Sequence, residues 1–214
     1  MRFADRRQAG LDLADWFQEW PQTSLLTDPI VLARPRGGVL VGAELARALR
    51  APLDVLPILK IGMPGRWQTP VGALADGDDP VYDRQALDVL GLGDEELAPE
   101  VARVRDEVRR RERVFREDRP APRLADRTVI LVDDGLATGS TARAAARHLR
   151  KKGPERLILA VPVGSPDTAQ TLRDEADDVV CVHLPEHFRS VAQWYDDFSQ
   201  VSDDEVVAVL RSFD

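Results

Sequence analysis

A hydrophobic run that ends in two acids is the part of the sequence best suited to chemistry. Val129 to Val132 form the run, and Asp133 and Asp134 follow it directly. Four β-prone apolar residues predict a buried strand, so we expect both carboxylates at one edge of a sheet. Carboxylate oxygens accept hydrogen bonds from vicinal hydroxyl groups and bind Mg²⁺.

The residues after the acids have the composition of a phosphate-binding loop. Gly135 and Gly139 allow a tight turn, and a helix is predicted from about Thr141 to Lys152. The free N–H groups of its first turn and the helix dipole would bind a phosphomonoester. Together with the acids, this loop indicates a site for a 5-phosphorylated ribose. The alternative is a strand that ends in an ordinary helix cap.

Residues 129–141, Val-Ile-Leu-Val-Asp-Asp-Gly-Leu-Ala-Thr-Gly-Ser-Thr, resemble the signature with which type I phosphoribosyltransferases bind phosphoribosyl pyrophosphate (PRPP). The similarity extends over nearly the whole chain, including residues 34–38 and 194–200, to a branch whose names specify no substrate. It implies an α/β fold with a central, mostly parallel, Rossmann-like sheet flanked by helices and a small hood over the base. It also implies Mg²⁺, and displacement of pyrophosphate at ribose C1 by a nitrogenous base.

This resemblance assigns roles to individual residues. By it, Asp133 and Asp134 contact the ribose 2- and 3-hydroxyls and hold the metal, directly or through those hydroxyls and water. The residues that would hold the 5-phosphate are Ala137, Thr138, Gly139, Ser140 and Thr141. The residues that match the pyrophosphate loop are Arg36, Gly37 and Gly38, and the peptide bond before Arg36 is often cis in the family. The expected catalytic residues are Asp133, Asp134, Arg36 and Lys60.

The elements around the pyrophosphate loop allow two interpretations. Residues 34–38 stand between a predicted strand, Pro29 to Ala33, and a predicted helix, Val39 to Leu49. The turn can bind an anion through its N–H groups, or it can simply begin the helix. Lys60 lies near the end of the next predicted strand, Leu53 to Ile61. There it can meet a diphosphate as a point charge, or it can be an ordinary surface lysine.

Residues 62–122 are predicted to form an insertion that consists of a flap and helices. Frequent glycines and prolines in Gly62 to Gly77 favour a mobile flap over a core element. This segment departs from the Pro-Glu-Leu-containing sequence that is usual in the branch. The other predicted elements are helices Asp83–Leu90, Asp94–Glu117 and Pro166–Glu175, and strands Leu157–Val163 and Asp178–Leu184.

Residues 185–214 are predicted to form the hood and a C-terminal helix, Asp203 to Leu210. Aromatic side chains beside acids could stack on a heterocyclic base and bond to it, and the candidates are Trp194, Asp196 and Asp197. Alternatively, the aromatic residues pack the C-terminal helix onto the sheet.

Composition and charge restrict the class of protein. A chain of 214 residues predicts one domain, 1–214. A net charge of −8 argues against a nucleic-acid surface. No apolar run is long enough for a bilayer and the N-terminus is not a signal peptide, so we expect a cytoplasmic protein without a membrane partner. The single Cys181 is expected to be a reduced core residue. A zinc site is not expected. The protein is expected to form a homodimer.

The resemblance and the site residues together imply an Mg²⁺-dependent pentosyltransferase that transfers the phosphoribosyl group of PRPP to a purine, in purine salvage and nucleotide metabolism. The base is left open. By the resemblance, hypoxanthine-type members carry an acid at the position of Ala137, whereas adenine-type members carry an alanine there. The hood, in contrast, is similar to that of oxopurine enzymes. The alternative is a regulatory protein on the same fold that senses PRPP or a nucleotide. Hydrolysis of a nucleotide or a ribose phosphate would need a positioned water molecule and a general-base side chain, and the sequence identifies neither.

Overall fold

A parallel sheet of five strands forms the centre of the protein in the computed structural model, which describes residues 2–63, 66–117 and 119–213, without the side chains of 66–69 and 85. In spatial order the strands are β2 (Leu53–Val55), β1 (Ile30–Ala33), β6 (Thr128–Val132), β7 (Arg156–Val163) and β8 (Asp178–His183). All five residues of β6 are buried. The apolar run from Val129 to Val132 suits a strand that is covered on both faces. The predicted α/β fold is therefore confirmed.

Helices cover the two faces of this sheet. On one face lie α1 (Arg6–Glu19), α2 (Gly37–Leu49) and α7 (Asp203–Arg211), and on the other lie α5 (Ser140–Arg150) and α6 (Pro166–Thr171). Successive residues of a strand point to opposite faces, so Ile130 packs with α1 and α2 whereas Leu131 packs with α5. The loops at the carboxyl ends of the strands are left to form a site.

A smaller antiparallel sheet contains β3 (Ile58–Met63), β4 (Arg66–Ala75) and β5 (Val81–Tyr82). Two helices follow it, α3 (Arg84–Leu90) and α4 (Asp94–Arg116), and α4 packs on β3 and β4. The prediction of one strand from Leu53 to Ile61 is therefore wrong. Pro57 lies between β2 and β3, and a proline has no N–H group with which to continue a ladder.

The glycine- and proline-rich segment is more ordered than its composition suggested. Val71, Leu74 and Ala75 are at most 2 % exposed, so the expectation that residues 62–77 exclude a core element is wrong for this part. A Cβ on Gly72 would lie 2.8 Å from the carbonyl oxygen of Val81, so a glycine is needed where β5 approaches β4. Motion of this hairpin stays a prediction, and residues 64 and 65 lie outside the described chain.

The segment after β8 returns to the beginning of the chain. The N–H of Phe3 donates to the carbonyl oxygen of Trp194 at 2.8 Å, and the N–H of Asp196 donates back to that of Phe3 at 2.9 Å. The rings of Phe3 and Tyr195 are both buried, with centroids 5.3 Å apart. The segment after β8 and the first residues of the chain thus hold each other through hydrogen bonds and ring contacts. None of the helices in the described residues is long and apolar enough to cross a membrane.

Candidate functional site

A cavity of about 350 Å³ lies at the carboxyl end of β6. It is lined by Arg6, Arg34, Lys60, Asp133, Asp134, residues 135–139, Thr141, Ala142, Val191 and Phe198. The structure therefore brings together the two acids, Lys60 and most of the predicted phosphate loop. Lys60 reaches the cavity from β3, and the acids and the loop reach it from the turn between β6 and α5.

Each acid is paired with an arginine. The Nε of Arg34 donates a hydrogen bond to Oδ2 of Asp133, and the Nε of Arg6 donates to Oδ2 of Asp134 at 2.8 Å. Oδ1 of Asp133 also accepts the N–H of Asp134 at 2.8 Å. Two carboxylates in adjacent positions repel each other, and the two guanidinium groups neutralise that charge.

Burial is the largest influence on the pKa values of Asp133 and Arg34. Burial raises the pKa of Asp133 to about 6, and the charge of Asp134 acts in the same direction, whereas Arg34 acts against both. Burial lowers the pKa of Arg34, but its ion pair with Asp133 leaves that pKa above its ordinary value. Arg34 therefore remains a cation at the edge of the cavity.

The first turn of α2 approaches the acids closely. A Cβ on Gly37 would lie 2.1 Å from Oδ2 of Asp134, and a Cβ on Gly38 would lie 2.9 Å from the carbonyl oxygen of Val132. Only glycines fit at these two positions without a shift of the neighbouring atoms. The expected cis peptide bond between Pro35 and Arg36 is confirmed.

Arg36 itself does not line the cavity. Its Nη1 lies 3.7 Å from a carboxylate oxygen of Asp203, in the first turn of α7. The predicted contact of Arg36 with pyrophosphate stays a prediction, and the arginine that the structure does bring to the cavity from this loop is Arg34.

The loop between β6 and α5 has the form of an anion-binding turn. Gly139 occupies the N-cap position of α5 with φ of +74°, where a β-carbon would be strained and would lie 2.6 Å from Cγ2 of Thr168. No side chain caps the helix, so the alternative of an ordinary side-chain cap is wrong. The hydroxyl of Thr168 donates to the carbonyl oxygen of Ala137 at 2.6 Å and holds the loop from below.

The residues expected to contact a base are directed elsewhere. Asp196 forms an exposed ion pair with Arg2, with 3.0 Å between Nε and Oδ1. Asp197 accepts the N–H of Ser199 at 2.8 Å, and Trp194 packs in the cluster around Phe3. The backbone pairing with the N-terminal residues fixes these directions. Val191 and Phe198 line the cavity instead.

The alternative interpretation of the aromatic residues also needs correction. Tyr195 and Trp194 pack with Phe3, near the start of the chain, and not between the C-terminal helix and the sheet. That helix, α7, buries Val206 and Leu210 in the cluster formed by α1 and α2.

Sequence reasoning missed Arg6 and Arg34 as members of the site. Arg6 lies in the first turn of α1, where the helix dipole disfavours a cation, and this unfavourable position was a signal. Arg34 directly follows β1, but only the pairing of β1 with β6 shows that it meets Asp133.

Asp133 and Asp134 offer the hard oxygen donors that Mg²⁺ prefers. One oxygen of each carboxylate is already engaged by an arginine. The arrangement therefore fits a metal that is held jointly with the hydroxyl groups of a ligand. Within the described residues, no group of three or more His, Cys, Asp and Glu side chains is arranged to hold a metal ion without such help.

Comparison with known proteins identifies the family of the chain. The family model described as phosphoribosyl transferase domain matches residues 4–199. The crystal structure of TT1426 from Thermus thermophilus matches 100% of this chain and 99% of its own chain. The two sequences are 40% identical, and the TM-score is 0.81. The purine phosphoribosyltransferase from Pyrococcus horikoshii has a similar fold, with a TM-score of 0.50 and 16% identity over 92% of each chain.

Curated relatives come from two strains of Mycobacterium tuberculosis, and each is named "Putative phosphoribosyl transferase". They are 39% identical over 213 residues, which is 97% of this chain and 46% of theirs. The chain thus spans less than half the length of these relatives. The family model, which covers residues 4–199, shows that the chain belongs to the phosphoribosyltransferase family.

Proposed function

We propose that the protein is an Mg²⁺-dependent enzyme that transfers the phosphoribosyl group of PRPP to a nitrogenous base, a purine, with release of pyrophosphate. The observation that carries this proposal is the shared cavity. Two adjacent acids, an N-terminal helix turn without a side-chain cap, and the cations Arg34 and Lys60 all line it.

The chain's own residues would act mainly by position and charge. The carboxylates of Asp133 and Asp134 accept the ribose hydroxyls, and the N–H groups of residues 137–141 hold the 5-phosphate. Lys60 and Arg34 stabilise the negative charge of the departing pyrophosphate. Mg²⁺, when bound with PRPP, neutralises part of that charge. The C1–O bond breaks, a C1–N bond to the base forms, and the base nitrogen loses its proton.

The purine is proposed from the family resemblance and from the cavity wall. Val191 and Phe198 give that wall an apolar part, which suits a flat heterocycle. The side chain of Ala137 cannot accept a proton. The proton that the base nitrogen loses would therefore pass to water or to the leaving group. Purine salvage in the cytoplasm and a homodimer belong to the same proposal.

A regulatory protein that binds PRPP or a nucleotide without turnover is the second candidate. The observation in its favour is that both acids already have arginine partners. A ligand hydroxyl must therefore compete with, or share, existing ion pairs.

A panel of purine and pyrimidine bases with PRPP and Mg²⁺ tests the proposal by release of pyrophosphate. We expect release with at least one purine, and a loss of about tenfold or more in the Asp134→Asn variant. Asp15→Asn is the matched control, because Asp15 is exposed and outside the cavity, and it should retain full activity. PRPP binding without release for any base would favour the regulatory protein. Absence of both would overturn the proposal.

A further inference from the structure

Arg6 connects three distant parts of the chain at the edge of the cavity. It is 8 % exposed, and its Nε donates to Oδ2 of Asp134 at 2.8 Å. Its Nη1 donates to the main-chain oxygen of Ser199 at 2.9 Å. The guanidinium carbon lies 3.8 Å from the centroid of the Phe198 ring, within the range of a cation–π contact.

The position of Arg6 has no explanation in the stability of α1. Arg6 directly follows the N-cap residue Asp5, at the helix end where the dipole favours acids. The next residue, Arg7, shows the ordinary case: its side chain is 66% exposed and lies 3.6 Å from Glu44. A buried guanidinium is costly unless an anion compensates it, and Asp134 is that anion.

Residues 195–199, here called the tail, also fix the main chain of Asp134. The hydroxyl of Tyr195 donates to the main-chain oxygen of Asp134 at 2.6 Å. The N–H of Asp197 donates to the main-chain oxygen of Ala4 at 2.9 Å, so this tail is tied to the residues just before α1. Residues 195–199 therefore hold Asp134 twice, once through its backbone and once through Arg6.

We infer that Arg6 is a positioning residue for Asp134 and that it makes ligand binding depend on residues 195–199. This inference rests on the proposed binding of ribose by Asp134. Arg6 engages Oδ2 and so fixes the plane of the carboxylate. Among the described contacts, this leaves Oδ1 to accept a ribose hydroxyl. A carboxylate that is held in advance loses less conformational freedom when the ligand binds.

Calorimetric titration of PRPP with Mg²⁺ into a double-mutant cycle tests this inference. The cycle contains the wild type, Arg6→Gln, Asp134→Asn and the double variant, and Arg7→Gln is the control on the same helix. We expect Arg6→Gln to weaken PRPP binding about tenfold. The double variant should bind no more weakly than Asp134→Asn alone, because Arg6 acts through that carboxylate. Arg7→Gln should bind as the wild type does.

A purely structural role would give a different pattern. It would lower the free energy of unfolding in Arg6→Gln and leave the PRPP affinity of the folded variant unchanged. Equal PRPP affinity in Arg6→Gln and the wild type, or additive losses, would overturn the inference while the proposed function stands. A wild-type protein that does not bind PRPP would overturn both.

A second variant covers the case in which Arg6→Gln does not fold. Arg6→Lys keeps the positive charge but cannot reach both Asp134 and Ser199 with one planar group. We expect it to fold and to bind PRPP several-fold more weakly than the wild type. Wild-type affinity in Arg6→Lys would contradict the positioning role.

Discussion

The phenolic oxygen of Tyr195 lies 2.6 Å from the main-chain oxygen of Asp134, to which it donates a hydrogen bond across 61 positions of sequence. Tyr195 is 1 % exposed. Burial raises the pKa of its phenol, with a further contribution from the charge of Asp134, so the hydroxyl keeps its proton and remains a donor. The C-terminal segment thus supports the end of the strand that carries both acids.

Tyr195→Phe removes this bond and leaves a buried carbonyl oxygen without its donor. We expect the free energy of unfolding to fall by about 1–3 kcal/mol, measured by urea denaturation at neutral pH. Tyr82→Phe, in β5, is the control. Tyr82 is only half-buried, so its hydroxyl can be hydrated and the change should be smaller. Equal stability of Tyr195→Phe and the wild type would show that the bond does not form in solution.

Gly37→Ala should disturb the acid directly. Its Cβ would lie 2.1 Å from Oδ2 of Asp134 and 2.6 Å from Nε of Arg6, so the ion pair must move or separate. We expect PRPP affinity to fall by about tenfold or more, measured by calorimetry.

Gly153→Ala is the control for Gly37→Ala. Gly153 has φ of +69° and no neighbouring atom within 4 Å of the added carbon. It should lose some stability through backbone strain and no affinity. Similar affinities for the two variants would contradict the close packing of α2 on the acids.

The central fold was predictable because it depends on local pattern. The apolar run before Asp133 predicts a buried strand, and the glycine turn after Asp134 predicts an exposed helix end. Both predictions need only a few adjacent residues. The pairing of Arg6 with Asp134 joins positions 128 apart, and no local pattern carries that information.

Of two errors in the predicted fold, one had a signal in the sequence and the other had none. Pro57 interrupts the run from Leu53 to Ile61, and a proline inside a strand argues for a break. Gly72 was interpreted as flexible, whereas the structure uses it for the close approach of β5. Composition alone does not distinguish a glycine that permits motion from a glycine that permits contact.

The thiol of Cys181 should react slowly in the native protein. Burial raises its pKa to about 12, and its Sγ lies 3.1 Å from the main-chain oxygen of His183, to which the thiol donates. At pH 8 the native protein therefore has little thiolate, which is the reactive form. The rate at which a chromogenic thiol reagent modifies Cys181 should be low in the native protein and high in the urea-unfolded protein. Equal rates at pH 8 would contradict the burial of the thiol.

The raised pKa of Cys181 predicts how the free energy of unfolding changes at alkaline pH. The unfolded thiol ionises near pH 9 and the native thiol near pH 12. The native state therefore binds the proton more tightly between these values. The contribution of Cys181 is complete below pH 9 and is lost as the pH rises toward 12. Cys181→Ala should show a smaller loss of stability over that range.

The β3–β4 hairpin should be protected from amide exchange near its base. Ile58 pairs with Ala75 and Ile61 pairs with Gly72, before the register shifts at Gly62. We expect slow exchange for residues 58–61 and 72–75 in the protein without ligand, because the two strands are hydrogen-bonded to each other and all of these residues except Leu59 and Lys60 are buried. Fast exchange there would show that the whole segment moves, as its composition alone suggested.

Titration of PRPP into the wild type, with and without Mg²⁺, followed by calorimetry, tests the central claim most directly. Asp133 and Asp134 are proposed to hold the ribose hydroxyls, and the loop that ends at Thr141 is proposed to hold the 5-phosphate. We expect saturable binding of one PRPP that requires Mg²⁺ and that is weakened about tenfold or more by Asp134→Asn. Binding that is independent of both Mg²⁺ and Asp134, or no binding of PRPP, would contradict the account.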